Sequence, residues 1–326
     1  VLMNPDNPEN YLKAMKKIYQ KIIDLIEEES EDAYIEFDKI YEYLDKHIKD
    51  KNNQNKEDIN RLYELMYILV RIGNNHYRTP TFFKRIEGII IFFKKKIQEN
   101  FTNEEIFHIF CSNKRLLLFI INSQIITIDD QIATLIKNYK SKRFFYNEYF
   151  FNTEMARTDP EEFERLRLIG ENENYMCQLI RSDSVEEFIS YVNKNNYPIR
   201  TGYIKPTLFE TNPFLLKNQP RLIEYAAFYG SIQIFKFLFM NQATTSPDFW
   251  NYVIHGKNPL IIHFIEENNI FPKNKNYEYV FKESMKCHHN EVADYININM
   301  IKGIDQSNIS IEFNGILLTA LKYRNY

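Results

Sequence analysis

Cys287-His288-His289 is the cluster of this sequence best suited to chemistry. A thiol and two imidazoles are zinc ligands, but zinc needs side chains that converge on one point. Its usual pattern is a pair about two to four residues apart, with a second pair elsewhere. Three consecutive residues at a helix end point in different directions, so neither a metal site nor a cofactor is expected. His255 and His263 lie eight residues apart. A catalytic histidine needs a nucleophile or carboxylate held beside it. The chain contains no GxSxG, HExxH, phosphate loop or GxGxxG. The expectation is a protein that is not an enzyme. Lys94-Lys95-Lys96 and Lys142-Arg143 are short basic runs beside apolar residues. They read as solvated helix faces, because a nucleic-acid surface wants a broad basic face.

Composition narrows the setting. The chain has 326 residues, a formal net charge of −3, 26 Phe and 23 Tyr, against 8 Gly and 11 Pro. Strand-rich folds need many glycine-marked turns, so helices are expected. The balanced charge predicts no strong attraction to nucleic acid or an anionic membrane. Cys111, Cys177 and Cys287 are too scattered for a disulfide framework, so a reducing, cytoplasmic setting is expected. The longest clean apolar run is Leu116–Ile121, far short of the roughly 20 residues of a spanning helix. No signal-peptide pattern opens the chain. The start at Val1 reads as trimmed or partial. Tyr326 falls inside a repeat, leaving an unpaired final helix or a missing continuation.

The elements follow from periodicity. Tyr11–Glu28, Ala33–Ile48 and Asp58–Ile72 carry apolar residues at helical spacing, the third closed by Gly73. Thr79-Pro80 opens a helix to about Gln98. Thr102/Asn103 caps Glu104–Cys111, and Asn113–Asn122 follows. Thr127/Asp129 starts a helix to Tyr139, Lys142–Phe151 forms an aromatic-rich one, and Asp159-Pro160 starts another to about Ile169. Asn193–Pro220, with four prolines, is the longest irregular stretch. It reads as a functional or mobile loop, or as an expanded finger between repeats.

Leu222–Met240 organises the second half. Its sequence LIEYAAFYGSIQIFKFLFM reads as two short helices with a reversal at Gly230. Ala226 and Ala227 let another helix approach closely, and Ile234, Phe235, Leu238 and Phe239 line one face of the second helix. So short a pair needs copies of itself on either side. Setting Ala226-Ala227 over Val253-Ile254 and Ser284-Met285 aligns the inner positions that follow, and over Ala320-Leu321 the sequence stops before a second helix can form. Leu179-Ile180 opens a weaker copy. The offsets run 27, 31 and 36 residues, so the period is irregular. A large residue three positions before each small pair recurs as Met176, Ile223, Trp250, Phe281 and Leu317. Ile106, Leu116, Leu117, Ile120 and Ile121 fit the same register shifted by about 118 residues, as degraded repeats.

This resembles the ankyrin repeat, with its period of about 33 residues and its Ala-Ala-x-x-Gly joint. Ala226, Ala227, Gly230, Ile234, Leu238 and Ala243 carry the likeness. No Thr-Pro-Leu-His opens any repeat, the joint glycine is replaced by Asp183, Lys257, His288 and Arg324, and the finger-turn glycine by Gln242 and Asn269. The wording of Leu222–Asn269 and of Cys287-His288-His289-Asn290 is similar to a large protist family of divergent ankyrin-like proteins with no assigned function. That resemblance implies a fold and brings no activity. It also implies that His289 takes the slot at the start of the second helix where ankyrins often carry histidine.

The expected fold is all-α. A helical N-terminal region over 1–102 leads through transitional helices over 103–173, which read as degenerate repeats, into an ankyrin-like α-solenoid over 174–326. The expected function is a protein-interaction scaffold binding a protein partner on its concave face. The register points Tyr225, Phe228, Tyr229, Tyr252, His255 and Lys286 toward that groove, with Glu283 beside them and His263 outward. The same rings could instead pack on the N-terminal helices or the 193–220 loop. An accessory subunit that oligomerises through its N-terminal helices is the alternative, and an unrecognised enzyme a more distant one.

Overall fold

A computed structural model describes residues 8–27, 42, 45, 56–79, 81–138, 154–301, 319, 320 and 322. The described residues form helices joined by turns and loops, with no strand among them; Tyr203 and Arg221 form one isolated antiparallel bridge. The expected helices over 33–48 and 142–151, and the final repeat at Ala320-Leu321, fall largely or wholly outside them. The chain divides into two compact units.

The first unit comprises 1–74, 78–149 and 320–326. Helices Pro8–Glu27 and Lys56–Asn75 carry its long apolar stripes. Phe82–Phe92, Lys94–Asn100, Asn103–Phe110, Lys114–Asn122 and Asp130–Asn138 complete it. Met15, Ile22, Leu69, Phe82, Ile86, Phe107, Phe110, Leu117 and Ile132 meet in one buried core. The Asn103–Asn122 helices therefore close the first unit's core, and that unit runs to 149. Thr102 and Glu105 cap each other's main chain at 3.3 and 2.8 Å. Gly73 does not end its helix, which runs on to Asn75. It is a close-approach residue: a β-carbon there would sit 3.0 Å from the Asn113 amide and 3.1 Å from Leu116. The helix expected from Thr79-Pro80 starts at Phe82, and it breaks at Phe93 instead of running to Gln98.

The second unit, 75–77 and 150–319, is built of helix pairs. Four follow in order: Tyr175–Arg181 with Val185–Lys194, Leu222–Phe228 with Ile232–Met240, Phe249–Gly256 with Pro259–Glu267, and Tyr277–Lys286 with Asn290–Ile296. First helices pack on first helices from pair to pair, and the second helices of the first three pairs pack likewise. The inner positions hold the core: Met176, Ile223, Trp250 and Phe281, then Phe188, Ile234, Phe235, Ile261 and Ile296, are all buried.

Each pair reverses through the same backbone device. Asp183, Gly230, Lys257 and His288 sit at one register position, with φ of 51°, 70°, 50° and 60°. At three of these joints the next amide also reaches back five residues: Ser184 to Leu179, Ser231 to Ala226, His289 to Ser284. This double closure satisfies the last carbonyls of the first helix and turns the chain sharply. Left-handed Gln242 and Asn269 do the same after the second helices, at 60° and 55°. Gln124, 118 residues before Gln242, does so in the first unit at 54°.

The 193–220 stretch is ordered into a short helix, Pro213–Lys217, and a loop tied to its neighbour. The Arg200 carbonyl accepts from the Thr244 amide at 2.9 Å. Buried Glu224 accepts from the Arg221 and Ser246 amides at 2.8 and 2.6 Å, fixing both ends of the second pair's entry. Asp248 precedes the Trp250 helix as its cap residue, without a side-chain capping bond.

Candidate functional site

A polar cluster sits inside the second unit where the third and fourth pairs meet. The Phe249–Gly256 helix supplies His255, and the Tyr277–Lys286 helix supplies Glu283 and Lys286. His255 Nε2 lies 2.9 Å from Glu283 Oε1, and Lys286 Nζ donates to the same oxygen at 2.7 Å. One turn earlier, Asn251 donates to the Tyr279 hydroxyl at 2.8 Å, so the two helices share two polar rungs. Phe214, from the short Pro213–Lys217 helix, stacks on His255 at 4.2 Å, and Phe228 stacks beyond it at 5.3 Å. His255 is 3 % exposed. Burial lowers its basicity against the pull of Glu283. Burial raises Glu283, but the His255 hydrogen bond and charge, with Lys286, outweigh it and hold the carboxyl at about 2.

This geometry corrects the expectation of an open aromatic groove. Tyr225, Phe228, Tyr252 and His255 are all buried, and only Tyr229 and Lys286 stay half-buried. The packing alternative holds instead. Phe214 lies 5.9 Å from Phe228 and 4.9 Å from Tyr252, and the Lys286 ammonium sits 5.7 Å over it. Tyr225 faces the preceding pair, where its hydroxyl accepts from Arg181 at 3.0 Å. Arg181 also pairs with Glu171 at 2.8 Å and lies 5.8 Å over the Tyr229 ring. The sequence register gave the right helix face for these residues but held no sign that Phe214, 14 residues before Phe228, folds back as their lid. His263, expected outward, is exposed.

Cys287, His288 and His289 do diverge, as adjacent residues at a helix end should. His288 takes the left-handed joint position. His289 Nδ1 donates to the Ile254 carbonyl at 2.9 Å, and its Nε2 accepts from the Tyr77 amide at 3.2 Å. That pair of bonds fixes a neutral tautomer, and burial lowers its basicity far below the usual range. His76 Nδ1 donates to the Cys287 carbonyl at 3.0 Å. The Cys287 side chain turns inward instead. Its sulfur, a His255 ring nitrogen and a Glu283 oxygen all lie within 4.8 Å of one another. These are nitrogen, oxygen and sulfur donors from two helices and a joint. Spacing along the chain cannot reveal such a set, because its members converge only once the pairs stack.

No family model matches this chain, and no curated protein or solved structure matches it. Among the described residues, no helix is long and apolar enough to cross a membrane.

Proposed function

We propose that the chain is a protein-interaction scaffold, and that its stacked pairs form an ankyrin-like α-solenoid binding a protein partner. The left-handed joint recurring at Asp183, Gly230, Lys257 and His288 carries this reading. Such an array presents loops and rims in fixed register to a partner. The histidine–glutamate pair supports binding over catalysis, since Phe214 and Phe228 stack on the imidazole and its Nε2 is taken up by Glu283.

With the groove aromatics buried, the partner surface we propose is the rim: half-buried Tyr229 and Lys286, with the inter-repeat loops beside them. Two loops repeat one motif. Exposed Tyr203 lies under Arg221 at 5.1 Å, and exposed Phe271 under Lys275 at 4.6 Å. Exposed aromatic rings paired with cations are typical binding anchors. The test is capture of a partner by the whole chain, then by Tyr203→Ser/Phe271→Ser. The variant should fold normally by circular dichroism and lose the partner. Equal capture by a folded variant places the interface elsewhere. The accessory-subunit reading draws on one observation, the adjacent exposed Ile91 and Phe92 of the first unit. A concentration-dependent dimer abolished by Ile91→Ser/Phe92→Ser would favour it.

A further inference from the structure

We infer that His255, Glu283 and Cys287 form a structural site for a borderline-soft divalent cation, with Zn²⁺ the ion that suits imidazole, carboxylate and thiolate together. The three donor atoms already lie within 4.8 Å of one another, and all three residues are buried. Tetrahedral zinc, with bonds of about 2.0–2.3 Å, holds its ligand atoms roughly 3.3–3.8 Å apart. The sulfur therefore needs to close by at most about 1 Å, and the 2.9 Å contact of His255 with Glu283 to open by less than that. The Lys286 ammonium, half-buried on a flexible stem, leaves the carboxylate as the ion arrives. The ion takes the place of two protons, that of the Cys287 thiol, which passes to solvent, and the one on His255 Nε2 that faces Glu283, which moves to Nδ1 or passes to solvent with it. The second Glu283 oxygen or a water fills the fourth position.

The rings of Phe214 and Phe228 over His255 close the site to substrate. A closed site of this kind is structural, and this one would tie the third helix pair to the fourth. The site is independent of which partner the scaffold takes. The Cys287 carbonyl already holds His76 at 3.0 Å, so the joint carrying the sulfur is fixed in place.

The test uses the 326-residue chain, stripped of metal with a chelator and titrated with Co²⁺. The expected result is uptake of one equivalent, with a thiolate-to-cobalt charge-transfer band and the d–d bands of tetrahedral cobalt, both erased by Zn²⁺. Cys287→Ser should abolish the charge-transfer band and weaken Co²⁺ by at least about tenfold, with helicity unchanged. Absence of the thiolate band in the wild type, or its persistence in Cys287→Ser, overturns the proposal. Should Cys287→Ser fail to fold, X-ray absorption on the Zn²⁺-loaded wild type decides. One sulfur among the ligands supports the site, and a shell of nitrogen and oxygen alone overturns it.

Discussion

Single side chains set the second unit's tolerance to change. Ala227 is fully buried against the next pair, where a β-carbon on Gly256 would collide with its carbonyl oxygen. Ala227→Phe should therefore destabilise the chain by about 3 kcal/mol, measured by urea unfolding. Tyr225 and Tyr229, four residues apart, should behave differently. Tyr225→Ser removes a buried ring and a hydroxyl held by Arg181, at a cost of roughly 3–5 kcal/mol. Tyr229→Ser, half-buried, should cost clearly less; equal losses would contradict this facing. Burial also pushes the Cys177 thiol up to about 12 and the Tyr225 phenol well above its ordinary 10.0. Groups whose folded pKa is raised hold their contribution below the unfolded value and lose it as pH rises. Thermal stability should thus fall from about pH 9 upward, and less steeply in Cys177→Ala. A flat profile from pH 8 to 11 would contradict that burial. Sequence position alone predicted that these residues share a helix face. It could not say which face stays open, because that depends on Phe214 arriving from a different segment.

At the scale of elements, the joints were the most legible feature. Gly230 announced a left-handed turn by its type; alignment set Asp183, Lys257 and His288 at the same position only as departures from glycine, yet they hold the same angle. Residues with a β-carbon pay about 1 kcal/mol or more to hold such angles. Lys257→Gly should therefore raise the melting temperature, while Gly230→Ala should cost about 1 kcal/mol. Opposite signs at two equivalent positions test the repeat register itself; the same sign at both would break it. Gly73 shows the reverse failure. As a glycine near a predicted helix end it looked like a cap, but it serves close packing against Asn113 and Leu116. Local sequence cannot separate those two uses of a missing β-carbon. The ordered 193–220 segment was equally hidden, since its anchors, Gln242 and Thr244, lie in the following loop.

For the molecule as a whole, helical content and the repeated pairs of the second unit were readable from periodicity. The degraded register over 103–122 pointed toward the repeats, whereas its apolar residues complete the first unit's core. Core membership is a property of the folded chain and leaves no local mark. The central claim is that the second unit presents its inter-repeat loops to a protein partner. Amide hydrogen exchange of the whole chain, free and bound to its captured partner, tests it most directly. The account predicts added protection over 197–205, 242–248 and 268–276, with little change in 259–267 and 290–296. Protection concentrated on those two second helices, with the loops unchanged, would contradict it.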